Sequence, residues 1–306
     1  MGQIRRVVAL DWSGDRSAAG QRRKIWAGIW TARKDGSGRG ESAYGGSVAL
    51  ENNRTRDELC AWLIELLRET PRMVVGVDFC FSYPAWFLRE HGARSAPAFW
   101  KIVKTKGEHW LSHECDDARF WGRPGKLRTG KKPAEFCAEN APRMLRLADL
   151  ACKVRSSILD PTQATKVKGI APKSPFQIGG AGAVGTGTLR GIPMLHQLRH
   201  AGFHIWPFDV PTLPLLVEIY PRLMTGAVNK GSAGQRTTYL ARKVEEDPAY
   251  RSLDPEVLAK ARQSEDAFDA LVSVMVMARE RKSFTRLQQP TDKTTLLEGA
   301  VWGAGA

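Results

Sequence analysis

The chain has 306 residues, 42% hydrophobic and 25% charged, the balance of a globular protein of one large or two ordinary domains rather than of a disordered segment. Its 46 Lys and Arg against 32 Asp and Glu leave a formal charge of +14 and a pI near 9.8, which favours polyanionic partners because each neutralised phosphate releases counterions. No run approaches the roughly 18 apolar residues of a membrane span, Met1–Arg6 has no apolar core of a signal peptide, and five scattered cysteines form no CxxC, so we expect a cytoplasmic chain with reduced thiols and no membrane partner.

Residues 6–13, Arg-Val-Val-Ala-Leu-Asp-Trp-Ser, read as a buried strand that ends at Asp11 and turns at Ser13-Gly14. A second strand is expected at 24–32 and a third from Tyr44 to Leu50, forming an antiparallel meander. The period then becomes helical over 55–69, with Leu59, Trp62, Leu63, Leu66 and Leu67 on one side and Pro71 beyond the end. Met73–Phe79 is again a buried strand, expected parallel to the first because a helix precedes it, and it ends Val77-Asp78-Phe79. Residues 84–187 differ: they hold four of the ten tryptophans, and 18 Lys and Arg against nine Asp and Glu. We read them as a large basic insertion or cap on a core made of 1–83 and 188–283. The core pattern resumes with a helix at 189–201, strands at Phe203–Phe208 and Leu215–Tyr220, a loop at 229–236 and a long helix at 265–282. That last helix carries a wide apolar stripe, from Ala267 to Ala278. The tail, 284–306, loses pattern and reads as mobile.

Two carboxylates, Asp11 and Asp78, sit where apolar strands end, and Glu218 ends a third such run. An unpaired acid there is costly, and strand-end acids in an α/β sheet point into the crevice where ligands bind. Asp266 and Asp269, three apart in the first turns of the last long helix, share a face. Acids that converge repel unless a cation holds them, and an all-oxygen set suits Mg2+ or Mn2+. Two such ions roughly 4 Å apart serve phosphodiester cleavage. Each acid also has a plainer explanation, as a turn former or a complement to the helix dipole.

Val-Ala-Leu-Asp-Trp-Ser-Gly at 8–14 resembles the first strand of the RNase H-like superfamily. Ser-Glu-Asp-Ala-Phe-Asp-Ala-Leu-Val-Ser-Val at 264–274 resembles the final helix of RuvC-like Holliday-junction resolvases. With Val-Gly-Val-Asp-Phe at 75–79 and Glu-Ile-Tyr-Pro at 218–221, the chain is similar to the predicted RNase H-like nucleases. The resemblance implies an α/β fold whose mixed sheet has three antiparallel strands followed by parallel ones, flanked by helices. It also implies a Mg2+-dependent acidic site that cleaves DNA or RNA. By carry-over Asp11, Asp78, Asp266 and Asp269 are metal ligands, with Glu218 an auxiliary ligand or water-positioning group. Asp78 departs from the resolvases, which carry the longer Glu there, and Glu218 matches only the predicted nucleases. Two other readings stand beside this one: a non-catalytic nucleic-acid-binding module, and an actin-like nucleotide phosphotransferase.

Other motifs compete. Gly180-Ala-Gly-Ala-Val-Gly185 satisfies the dinucleotide fingerprint, but the segment before it, flanked by Pro172 and Pro175, is a poor strand. His109, His113 and Cys115, with Cys137, offer zinc-type ligands without a clear partner pair. Trp86, Trp100, Trp110 and Trp121 lie among basic residues, where they suit either core packing or base stacking.

Overall fold

The computed structural model describes residues 3–33, 43–115, 117, 119–122, 141–156, 173–180 and 183–303. The valine-rich runs form the centre of a six-stranded mixed sheet: β1 (Arg6–Asp11), β2 (Trp26–Ala32), β3 (Gly46–Glu51), β4 (Met73–Val77), β5 (His204–Ile205) and β6 (Leu215–Glu218). The strand order is β3-β2-β1-β4-β6-β5. The first three strands pair antiparallel, and β4, β6 and β5 continue parallel to β1. The meander is interrupted by a short helix that the sequence reading did not anticipate, α1 (Ala18–Lys24), whose N-cap Ser17 accepts a bond from the Gly20 amide. Seven residues with no apolar stripe give no periodic signal, which is why it was not seen.

Helices cover both faces. On one lie α2 (Arg56–Glu69), α3 (Ala85–Glu90), α4 (Ala96–Leu111), α5 (Leu147–Ser156) and α6 (Gly185–His200). The capping box of Thr55 and Glu58 starts α2. α6 begins at Gly185, four residues before the expected start, through a glycine- and threonine-rich turn of low helix propensity. Packing overrides propensity there: a Cβ on Gly185 would lie 2.2 Å from the Pro175 carbonyl oxygen. The other face carries α7 (Pro221–Thr225), α8 (Ala233–Glu246), α9 (Pro248–Arg251), α10 (Pro255–Gln263) and α11 (Glu265–Arg279). The loop expected at 229–236 ends early, because Ser232 caps α8 by accepting from the Gln235 amide.

The described parts of 84–187 pack into one continuous apolar cluster with the sheet: Trp100, Trp110, Phe120 and Phe176 share it with Val8, Leu10 and Val75. Trp100 is wholly buried and donates its ring N–H to the Phe81 carbonyl. The basic run at 126–132 and Cys137 lie outside the described residues. The described part of the tail, through residue 303, packs onto the fold with α12 (Arg281–Phe284) and α13 (Thr295–Glu298). Phe284 stacks on Trp302, and the Trp302 amide donates to the Glu218 carbonyl at 2.8 Å. The tail's apolar residues are too few for a periodic signal, yet Leu297, Val301 and Trp302 are buried. No helix of the described residues is long and apolar enough to cross a membrane.

Candidate functional site

Two carboxylates end the two central parallel strands. Leu10 pairs with Val77, and the Asp78 amide donates to the Leu10 carbonyl at 3.1 Å, so Asp11 and Asp78 stand side by side where β1 and β4 run out. Side chains alternate along a strand. Val7, Ala9 and Val74 belong to the apolar cluster on the α11 face, and Asp11 and Asp78 continue those rows.

α11 lies against this face because glycines let its backbone approach. A Cβ on Gly28 would come 2.5 Å from the Ala270 carbonyl oxygen, and one on Gly76 would come 2.7 Å from the Met277 sulfur. Ser264 starts the helix by accepting from the Ala267 amide. Asp269, next to Ala270, is carried into the interior and is 1% exposed. Asp266 is one turn earlier on the same side, and the positive end of the helix dipole favours both.

A lysine that sequence reasoning missed completes the group. Lys230, in the segment between α7 and α8, donates its ammonium to Asp269 Oδ2 and lies 3.7 Å from Glu265 Oε1. Asp269 Oδ1 is buried with no hydrogen-bond partner among the described residues. The one signal in the sequence was a lone lysine in a Gly/Ser-rich loop, and nothing local connects it to α11.

The electrostatics are those of unresolved repulsion. Burial, then the carboxylates of Asp269, Asp266 and Asp78, hold Asp11 well above the usual carboxylate range, with Lys230 pulling the other way. Burial pushes Asp78 up to about 7; Lys230 opposes, and Asp269 and Glu218 add to the rise. Burial and then Glu265 raise Asp266 to about 6, and burial raises Asp269 against the pull of Lys230. Burial works against the charge of Lys230, but Asp269, Asp11 and Asp78 overcome it and hold its pKa above the ordinary value.

Glu218 faces the other side of the sheet from these four, though its charge still reaches Asp78. It pairs with Val77 but alternates onto the opposite face with Leu216. There Arg146, 0% exposed, donates to both Glu218 oxygens at 2.8 and 2.6 Å and to Asp149 at 2.6 Å. The Phe81 amide adds a bond of 2.9 Å to Glu218. Cys80, Asp149 and Glu218 form the one group among the described residues whose three possible ligand atoms all lie within 4.8 Å of one another. Its cation position is already filled by the guanidinium, and burial holds the Cys80 thiol well above its ordinary pKa. The four aspartates are spaced more widely; Lys230 donates to Asp269, and Lys24 and Arg222 offset Asp266 and Asp269 only as further charges.

The competing motifs do not assemble into such a set. His109 and His113 are exposed, Cys115 is buried, and the three form no ligand group among the described residues. Gly180 and Gly185 flank residues outside the described set. Trp110 stacks on Phe99 and Phe120, and Trp86 on Phe176, as packing residues. Comparison with family models, with curated proteins and with solved structures finds no match for this chain.

Proposed function

We propose that the chain is an RNase H-like, metal-dependent nuclease whose site is Asp11, Asp78, Asp266 and Asp269. The observation that carries this reading is the frustrated cluster itself: four carboxylates from the ends of β1 and β4 and from α11 raised together, with one buried Asp269 oxygen left without a partner among the described residues. Structural ion clusters are normally satisfied, and strongly perturbed groups gather at functional sites. The sheet order, antiparallel through β3-β2-β1 and then parallel, agrees with what the resemblance implies.

The donor set is all oxygen and fits a hard divalent cation such as Mg2+ or Mn2+. When bound, a pair of such ions supplies water activation and charge stabilisation at the leaving oxygen. Asp11 and Asp269 are the most deeply held of the four, at 8% and 1% exposure, and would anchor the charge. Asp78, beside Asp11, and the more open Asp266 would complete the set. Lys230 balances part of the charge when no divalent ion is present and is the group that must yield as one enters. The basic surface supplies attraction for a nucleic-acid backbone.

Incubation of the full chain with Mn2+ and labelled single-stranded, duplex, branched and hybrid substrates tests this. Cleavage of at least one is expected, lost in Asp11→Asn together with Mn2+-induced thermal stabilisation. If none is cut, and Asp11→Asn leaves Mn2+ binding unchanged, the reading fails.

A further inference from the structure

The two ends of α6 lie in different surroundings. Its first turn sits against the segment after β1, where the Trp12 ring N–H donates to the Gly187 carbonyl at 3.0 Å. Its 16 residues then run roughly 24 Å, at about 1.5 Å each, to Arg199 and His200. There two adjoining cavities of about 530 and 270 Å³ share Ser95, Pro97 and Arg199. Arg89, Arg94 and Lys293 line the larger with the half-buried ring of Phe208. Lys101, His196 and His200 line the smaller. No carboxylate lines either one among the described residues.

The cations here are mostly uncommitted. Arg199 shares its charge with Asp209 at 2.7 Å. Arg89, Arg94, Lys101 and Lys293 are exposed and take part in no ion pair among the described residues. The local field is positive: burial and then His200, Lys104, Lys101 and Arg199 all push the His196 pKa down, and its buried Nε2 has no hydrogen-bond partner among the described residues. Like charges held together without counter-charge mark a surface shaped for an anion. Their spread over two joined cavities suits a chain of phosphates better than a single one. Phe208, braced edge-on by Trp100 at 5.4 Å between ring centres, offers an aromatic surface among them. A duplex hides its base faces, whereas an unpaired base can stack on such a ring.

We propose that this groove binds single-stranded nucleic acid, with backbone phosphates on Arg89, Arg94, Lys101 and Lys293 and a base stacked on Phe208. It takes its class of partner from the nuclease reading but does not depend on the aspartates holding a metal. Its position at the far end of α6 makes it a holding site for a strand rather than part of the cleavage site.

The test is fluorescence anisotropy of the full chain in chelator. The probes are a labelled single-stranded oligonucleotide, its duplex and, as competitor, inorganic polyphosphate. The combined variant Arg89→Glu, Arg94→Glu, Lys101→Glu and Lys293→Glu is expected to fold, being changed only at exposed positions. It should bind the single strand at least tenfold more weakly. Its log K against log salt should be shallower by about 3, from roughly 0.7 per lost phosphate contact. Phe208→Ala should weaken single-strand binding about tenfold, within the range for one stacked base, with the salt slope unchanged, and Phe208→Tyr should restore it. Unchanged affinity and slope in the combined variant overturn the proposal. So does tighter binding of duplex than of single strand, or indifference to Phe208 with full competition by polyphosphate. Asp269→Asn should leave this binding intact. Lost cleavage in Asp269→Asn with an unaffected combined variant sinks the groove alone, and lost binding in the combined variant of a chain that cuts nothing sinks the nuclease alone.

Discussion

The sheet carries a buried ion cluster on each face, and the two are built in opposite ways. On the face away from α11, Arg146 answers Glu218 and Asp149 with four bonds between 2.6 and 3.1 Å, and a main-chain amide supplies another at 2.9 Å. On the α11 face, four aspartates have one directly bonded lysine, and one buried oxygen has no hydrogen-bond partner among the described residues. Both lie at the same end of the parallel strands, and one residue of alternation decides which acid goes to which. A fully satisfied polar network fixes a fold, and a partly satisfied one is costly. The contrast therefore separates a cluster that joins chain segments from one whose carboxylates outnumber the cation bonded to them. Arg146 also donates to the Glu298 carbonyl, tying the segment before α5 to β6 and the tail.

The largest effect is expected from breaking the satisfied cluster. Arg146→Met leaves two buried carboxylates without their cation and should cost about 3–5 kcal/mol of stability, the usual penalty for removing one partner of a buried pair. Denaturant unfolding measures it. Arg146→Lys should recover little, because a point charge cannot bridge two carboxylates as the guanidinium fork does. A loss below about 1 kcal/mol, the scale of an exposed pair, would mean that the two clusters are not different in kind.

Supplying the missing charge should act on the other face only. Mg2+ or Mn2+ at 100 times its dissociation constant should stabilise the chain by about 2.7 kcal/mol. Asp11→Asn and Asp269→Asn should abolish the gain, and Glu218→Gln should keep it even though that variant starts from lower stability. Thermal unfolding with and without the ion reads both. The reverse pattern, with the gain lost only in Glu218→Gln, would move the metal to the Arg146 face.

The comparison also shows what the sequence made legible. Asp11 and Asp78 were recognisable because each ends a run of buried apolar residues, and Asp266 and Asp269 because their helix carries a strong apolar stripe. Glu218 ends a similar run, and the difference lay in strand alignment: its pairing with Val77 puts it one step out of phase with Asp78. Lys230 and Arg146 were invisible as partners, since each reaches its acids through tertiary contact across 39 and 72 residues. α8 and α10 were missed for a different reason, being polar surface helices with few buried positions. The sheet was legible because burial on both faces writes itself as valine runs.

The spacing of the α11 cluster depends on how closely that helix approaches β2. Gly28→Ala places a methyl where the Ala270 carbonyl oxygen is 2.5 Å away, so helix or strand must shift. We expect a loss of about 2 kcal/mol, typical of overpacking, together with weaker divalent-ion stabilisation, because Asp269 moves with Ala270. The Arg146 cluster, on the other face, should be untouched. A double variant with Arg146→Met should show additive losses, as distant sites do; strong coupling would mean that the two clusters are one unit.

The smallest effect is expected from pH, and its sign follows from the direction of the shifts. Asp78 at about 7 and Asp266 at about 6 lie above the ordinary value of 3.8, so between roughly pH 4 and 7 the folded chain holds more protons than the unfolded one. Their contribution is full below that window and is lost as pH rises through it. In chelator, stability should fall across the window by about 1 kcal/mol, one pKa unit's worth, because water reaching these partly exposed acids screens the rest. Glu218 is also raised by burial and tilts the same way, so the tilt alone does not separate the faces. A divalent ion does: it should flatten the part due to the aspartates and leave the part due to Glu218. Asp15 and Glu58, each lowered to about 2 by bonds to Lys24 and Arg22 respectively, act oppositely, and their contribution is lost as pH falls below 4. The metal-free chain should therefore be most stable near pH 4–5, and Mg2+ should move that optimum upward. If Asp78→Asn leaves the chelator profile unchanged, the aspartates are not the strained cluster that the comparison requires.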